Sequence, residues 1–103
     1  MNTWTEDKTI TYNMYFDITA SVNAGTGYSI HVQSTDGLQF INKVEVKNKS
    51  IGGEITHMYT FKAVRVGDEQ IIVTIGQSWN EISNHYTIYN IHVVHPYVSR
   101  FIQ

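Results

Sequence analysis

An all-β fold, an antiparallel sandwich of two sheets with about seven strands, is what this sequence predicts, on three observations. Beta-branched and aromatic residues recur in short runs with period-two alternation. Turn-forming clusters of Gly, Asn, Asp and Ser interrupt those runs every ten or so residues. No segment carries a helical apolar stripe over three turns. The 103 residues suit one domain spanning 1–103, with 96–103 as a C-terminal tail, and 42% hydrophobic content is enough for one core.

The elements follow in order. Residues 8–12 (KTITY) open the series. In 15–22 (YFDITASV), Phe16, Ile18, Ala20 and Val22 share one face, and Tyr15, Asp17, Thr19 and Ser21 the other. Residues 28–33 repeat the pattern with Tyr28, Ile30 and Val32. Residues 38–46 (LQFINKVEV) are less regular and predict a bulge or break near Asn42. The clearest strand is 54–63, where Ile55, His57, Tyr59, Phe61 and Ala63 lie in phase. After the Gly67-Asp68 turn come 70–75 (QIIVTI) and then 85–94, whose inward phase the alternation leaves open. Pro96, lacking an N–H, stops the last strand.

If successive strands run in opposite directions, the second, fourth and sixth connections emerge at one end of an immunoglobulin-like sandwich. These are 23–27 (NAGTG), 47–53 (KNKSIGG) and 76–85 (GQSWNEISNH). One rim therefore gathers segments rich in Gly, Asn and Ser, one of them holding Trp79. That tryptophan either closes the end of the core or stands out as a contact anchor. The remaining connections, such as VGDEQ, read as short and structural.

Much chemistry is argued against. Without cysteine there is no disulfide framework and no thiol nucleophile. His31, His57, His85, His92 and His95 show no metal-ligand spacing backed by carboxylates, so no metal or cofactor is expected. His57, in phase with Tyr59 and Phe61, reads as a hydrogen-bonded strand residue. No nucleophile elbow or phosphate-cradling loop occurs, which argues against an enzyme. Asp17 and Glu81 read as surface charges. A net charge of −2, and a basic cluster of Lys43, Lys47 and Lys49 broken by Glu45, give no pull toward nucleic acid. The start MNTWTEDKTI predicts neither a signal peptide nor a membrane span, which leaves localisation open, and a monomer is expected. Asn48-Lys49-Ser50 matches the glycosylation pattern, a common chance occurrence.

The three rim segments resemble the chagasin family, small β-sandwich inhibitors of papain-like cysteine proteases. That family's first loop reads N-P-T-T-G-[YF], its middle loop is glycine-rich, and its third carries R-P-W. Here the counterparts are Asn23-Ala24-Gly25-Thr26-Gly27-Tyr28, Ser50-Ile51-Gly52-Gly53 and Gln77-Ser78-Trp79. Between the last two, YTFKAVRVGDEQIIVTI resembles the family's aromatic-x-Phe-x-Ala-x-x-x-Gly stretch, and the resemblance runs from about Ile10 to Val94. Ala24 and Gly25 replace a proline and a hydroxyl residue, which frees the first loop; Gln77-Ser78 replace Arg-Pro.

The resemblance implies a reversible inhibitor with a papain-like cysteine protease as partner and these thirteen residues as its contact surface. It implies that Gly52 and Gly53 bring main chain beside the catalytic cysteine, that Thr26 lies near the catalytic histidine, and that Trp79 rests on the surface flanking the cleft. The competing expectation is an adhesion or carbohydrate-binding module, with Tyr28, Trp79 and Tyr86 stacking on sugar rings. A third is a structural domain of a larger surface protein. A Gly52-Gly53 loop serves a cleft-blocking inhibitor and not a sugar platform.

Overall fold

The computed structural model describes residues 2–23, 25–47, 53–77 and 79–96. Seven strands are present: β1 (Asn2–Thr11), β2 (Tyr15–Asn23), β3 (Tyr28–Ser34), β4 (Leu38–Lys47), β5 (Glu54–Ala63), β6 (Gly67–Gln77) and β7 (Asn80–Val94). One sheet has the order β1-β7-β6-β3 and the other β2-β5-β4. The fold is the all-β, two-sheet architecture expected. Neighbours pair antiparallel except β1 and β7, which run parallel with Asn2 opposite His85 and Thr11 opposite Val94. In a chain that reverses at every connection, the first and seventh strands point the same way, so their pairing must be parallel.

Alternation sets the core. Ile18, Tyr59, Phe61 and Ala63 from one sheet meet Ile71, Val73, Ile91 and Val93 from the other, with Leu38 closing one side. Phe61 stacks on Phe16 with ring centroids 6.0 Å apart and meets Phe40 edge-on at 5.8 Å. In β7 the inward phase is that of Tyr89, Ile91 and Val93. The irregularity expected near Asn42 is a register shift between Phe40 and Asn42. His57 is a strand residue as expected, its Nδ1 3.4 Å from the Tyr59 hydroxyl and its Nε2 3.5 Å from Glu45.

Three expected boundaries are corrected. Strand β6 begins at Gly67 rather than Gln70, because the expected Gly67-Asp68 turn is ladder, with Gly67 opposite Val93 and Asp68 opposite His92. The first strand begins at Asn2 rather than Lys8, because parallel pairing with β7 satisfies its backbone where its side chains show no alternation; Trp4 lies within it and stays exposed. The third rim connection is far shorter than 76–85. Strand β6 continues to Gln77 and β7 starts at Asn80, with those two residues paired across the turn.

The end opposite the rim is tied by main-chain bonds: Asn13 N–H to Ala63 O (2.8 Å), Ala63 N–H to Met14 O (3.0 Å) and Val64 N–H to Gly37 O (2.9 Å). Asn13 takes the left-handed conformation there (φ 74°), which asparagine tolerates better than most residues. At this end Glu69 is buried, a carboxylate among core residues. It accepts hydrogen bonds from the Thr35 hydroxyl (2.6 Å) and the Gly37 N–H (2.9 Å), and Arg65 Nη2 lies 3.2 Å away.

Candidate functional site

Register places the three connections together. Asn23 faces Glu54 across β2 and β5, so Gly53 emerges beside the end of β2. Tyr28 faces Gln77 across β3 and β6, and Gln77 faces Asn80 across β6 and β7. The β2–β3 connection crosses from one sheet to the other at this same end. Of the thirteen residues expected to form the site, Asn23, Gly25, Thr26, Gly27, Tyr28, Gly53, Gln77 and Trp79 are thus brought to one rim. Ala24, Ser50, Ile51, Gly52 and Ser78 lie outside the described residues, as do Asn48 and Lys49.

The first connection is shaped by its glycines. Gly25 (φ 80°) and Gly27 (φ 78°) occupy left-handed backbone, where a side chain costs roughly 1–2 kcal/mol. Between them the Thr26 hydroxyl donates to Asn23 O at 2.7 Å, closing the turn on itself. Gly25 has open space around it, so its conformation alone calls for glycine. Gly27 is needed twice over, because the Trp79 ring fills the space a Cβ would take.

This contact joins the first connection to the third. Gln77 adds a second link, its side-chain amide donating to Thr26 O at 2.9 Å while its backbone pairs with Tyr28. Gln77 stands where the resembled motif has arginine, and here it acts as a strut between connections fifty residues apart in sequence. Beyond the turn the ladder slips between Ile75 and Gln77, so that residues 81–84 of β7 bulge opposite Gly76. The Asn84 side chain occupies the place of a Cβ on Gly76 and donates to the Tyr86 hydroxyl at 3.2 Å.

Trp79 itself does not close the core. It is 70% exposed, with part of its ring on Gly27 and the rest presented to solvent. Beneath the rim an open cavity of about 280 Å³ lies between the sheets, lined by Val22, Tyr28, Ile75 and His85 among others. His85, which the sequence places at the junction of the third connection and the last strand, reaches it from β7. Among the described rim residues, none from 23 to 28, at 53 or from 76 to 79 is charged. The three aromatics of the sugar-platform expectation do not share a surface. Tyr28 lines the inter-sheet cavity, Tyr86 lies on the outer face of its sheet, and Trp79 crosses the tip.

Replacing Gln77 by alanine should release the Thr26 carbonyl and speed amide exchange in 25–27 by about fivefold, the equivalent of roughly 1 kcal/mol for one hydrogen bond. Native-state hydrogen exchange measures this directly. Unchanged exchange would mean the strut carries no load.

Comparison with known proteins adds three findings. A family model described as chagasin family peptidase inhibitor I42 matches residues 9–93. No curated protein sequence matches the chain significantly. Among solved structures, the chain is similar to the cysteine protease inhibitor EhICP2 from Entamoeba histolytica, with TM-score 0.74 and 15% identity over 90% of this chain and 95% of that one. It is also similar to amebosin, with TM-score 0.68 and 19% identity over 89% and 96%. PbICP-C, solved in complex with falcipain-2, gives TM-score 0.72 and 16% identity over 90% of each chain. At these identities the structures show a shared fold.

Proposed function

The chain belongs to the chagasin family of peptidase inhibitors, and from that premise we propose that it blocks papain-like cysteine proteases by placing its rim connections in the active-site cleft. Membership makes it an inhibitor and not an enzyme. The observation that carries the proposal is the joining of two distant connections into one body by the Gln77–Thr26 hydrogen bond and the Trp79–Gly27 contact, with Gly53 emerging beside them. The structural likeness to PbICP-C, a protein solved bound to falcipain-2, supports the same reading.

The mechanism needs no reactive group on the inhibitor, in keeping with a chain that has no cysteine. Glycine at 52 and 53 lets main chain come close to a catalytic centre where a Cβ would collide. A connection already ordered by its neighbour loses little entropy on binding, which favours affinity. The same order opposes cleavage, since a protease must bend a substrate segment into extended form before attacking it. The Thr26–Asn23 and Gln77–Thr26 hydrogen bonds and the Trp79 ring on Gly27 hold this connection in its left-handed turns and oppose that bending.

The test is an inhibition assay against papain with a fluorogenic peptide substrate, with trypsin as control. Tight inhibition of papain, reversed by dilution and absent with trypsin, is the expected result. Undiminished papain activity at micromolar inhibitor would overturn the proposal.

A further inference from the structure

We propose that the free edge of β4 is a self-association surface, on which a second copy of the chain pairs antiparallel about a twofold axis at Val44. Among the described strands β4 pairs with β5 alone, so its other side presents a row of unpaired backbone groups. Every residue from Gln39 to Lys47 is exposed, including Val44 at 40% and Val46 at 59%. Nothing else in the described structure covers this edge.

The strand's own features select the partner. The register shift at Phe40/Asn42 ends the regular ladder on one side, and the strand ends at Lys47 on the other. The regular stretch between is centred near Val44. Within it Lys43 and Glu45 sit opposite Tyr59 and His57 on β5, on the sandwich-facing side of the sheet. Inward charges on an edge strand normally exclude a new strand, because pairing would bury them uncompensated. A second copy in the Val44-centred register is an exception. Lys43 of each copy then faces Glu45 of the other, Val44 faces Val44, and Asn42 faces Val46.

Shifting the axis by one residue puts Lys43 against Lys43 or Glu45 against Glu45, which is repulsive. The Lys43–Glu45 pair within one chain is 3.9 Å long with both side chains about half exposed, so exchanging it for a partner across the axis sacrifices little. The result is a continuous six-stranded sheet, with the two rims pointing in opposite directions and both free.

The experiment measures molar mass by sedimentation equilibrium across a concentration series. The wild-type chain should dimerise on concentration. Lys43→Glu and Glu45→Lys should each weaken self-association by about tenfold or more, since each sets like charges opposite one another twice. An equimolar mixture of the two single variants should dimerise again, and so should the double swap. Rescue in the mixture cannot arise from misfolding, which no mixing repairs. A wild-type chain that stays monomeric at its solubility limit, or single variants that dimerise as well as wild type, would overturn the inference. Papain inhibition by all variants should match wild type, which keeps this result separate from that of the rim.

Discussion

Replacing Trp79 by alanine is expected to raise the inhibition constant against papain by about thirtyfold, the equivalent of roughly 2 kcal/mol for a tryptophan anchor. Two effects combine. The exposed part of the ring is lost as contact surface, and the part lying on Gly27 no longer holds the first connection in place. Phenylalanine at 79 should recover part of the loss, because a smaller ring still covers Gly27. Equilibrium titration of the two variants against wild type decides the matter. An unchanged inhibition constant for the alanine variant would remove Trp79 from the contact surface and leave it as a brace of the loop.

At the other end, replacing Glu69 by alanine should cost roughly 2–3 kcal/mol, because the Thr35 hydroxyl and the Gly37 N–H lose their acceptor and Arg65 its partner. The melting temperature should fall by roughly 10–20 °C for a domain of this size. The side chain is 5% exposed, so water cannot take the carboxylate's place without rearrangement. The Thr35 hydrogen bond is the main cause that holds this carboxyl below its ordinary value of 4.5; burial opposes it, and Gly37 and Arg65 assist.

The sign of the pH dependence follows. A carboxyl with a lowered value in the folded chain takes up its proton more readily when unfolded, so its contribution is complete above 4.5 and fades as pH falls through the folded value. Glu69→Gln should therefore flatten the acid limb of the stability curve relative to wild type, as seen by denaturant titration from neutral pH downward. An unaltered acid limb would show that the carboxylate is not the group being protonated.

The sequence was most legible where one face of a strand is buried and the other wet. Ile18 and its neighbours in β2, and Tyr59, Phe61 and Ala63 in β5, gave their phase directly because burial alternates there. The first half of β1 was not legible, since Thr3 to Asp7 are all exposed and edge pairing leaves no side-chain pattern. The phase of β7 was ambiguous because it lies between β1 and β6, so Tyr86 and Ile88 on its outer face are half-covered too. Within VGDEQ, Glu69 reads as part of a turn. Its spacing of two from Ile71 and four from Val73 is the signal that would have turned it inward. At the rim, the spacing of motifs predicts which connections meet, but the Gln77 strut and the ring on Gly27 are tertiary contacts that no local pattern encodes.

The parallel pairing of β1 with β7 has a practical outcome for handling the molecule. Asn2 lies opposite His85, near the tip that bears the indole, whereas β7 runs out at Val94 on the distant side. A tether or carrier fused ahead of Asn2 would crowd the working pole, while one fused after Pro96 would leave from the opposite pole and keep the inhibitor displayed outward.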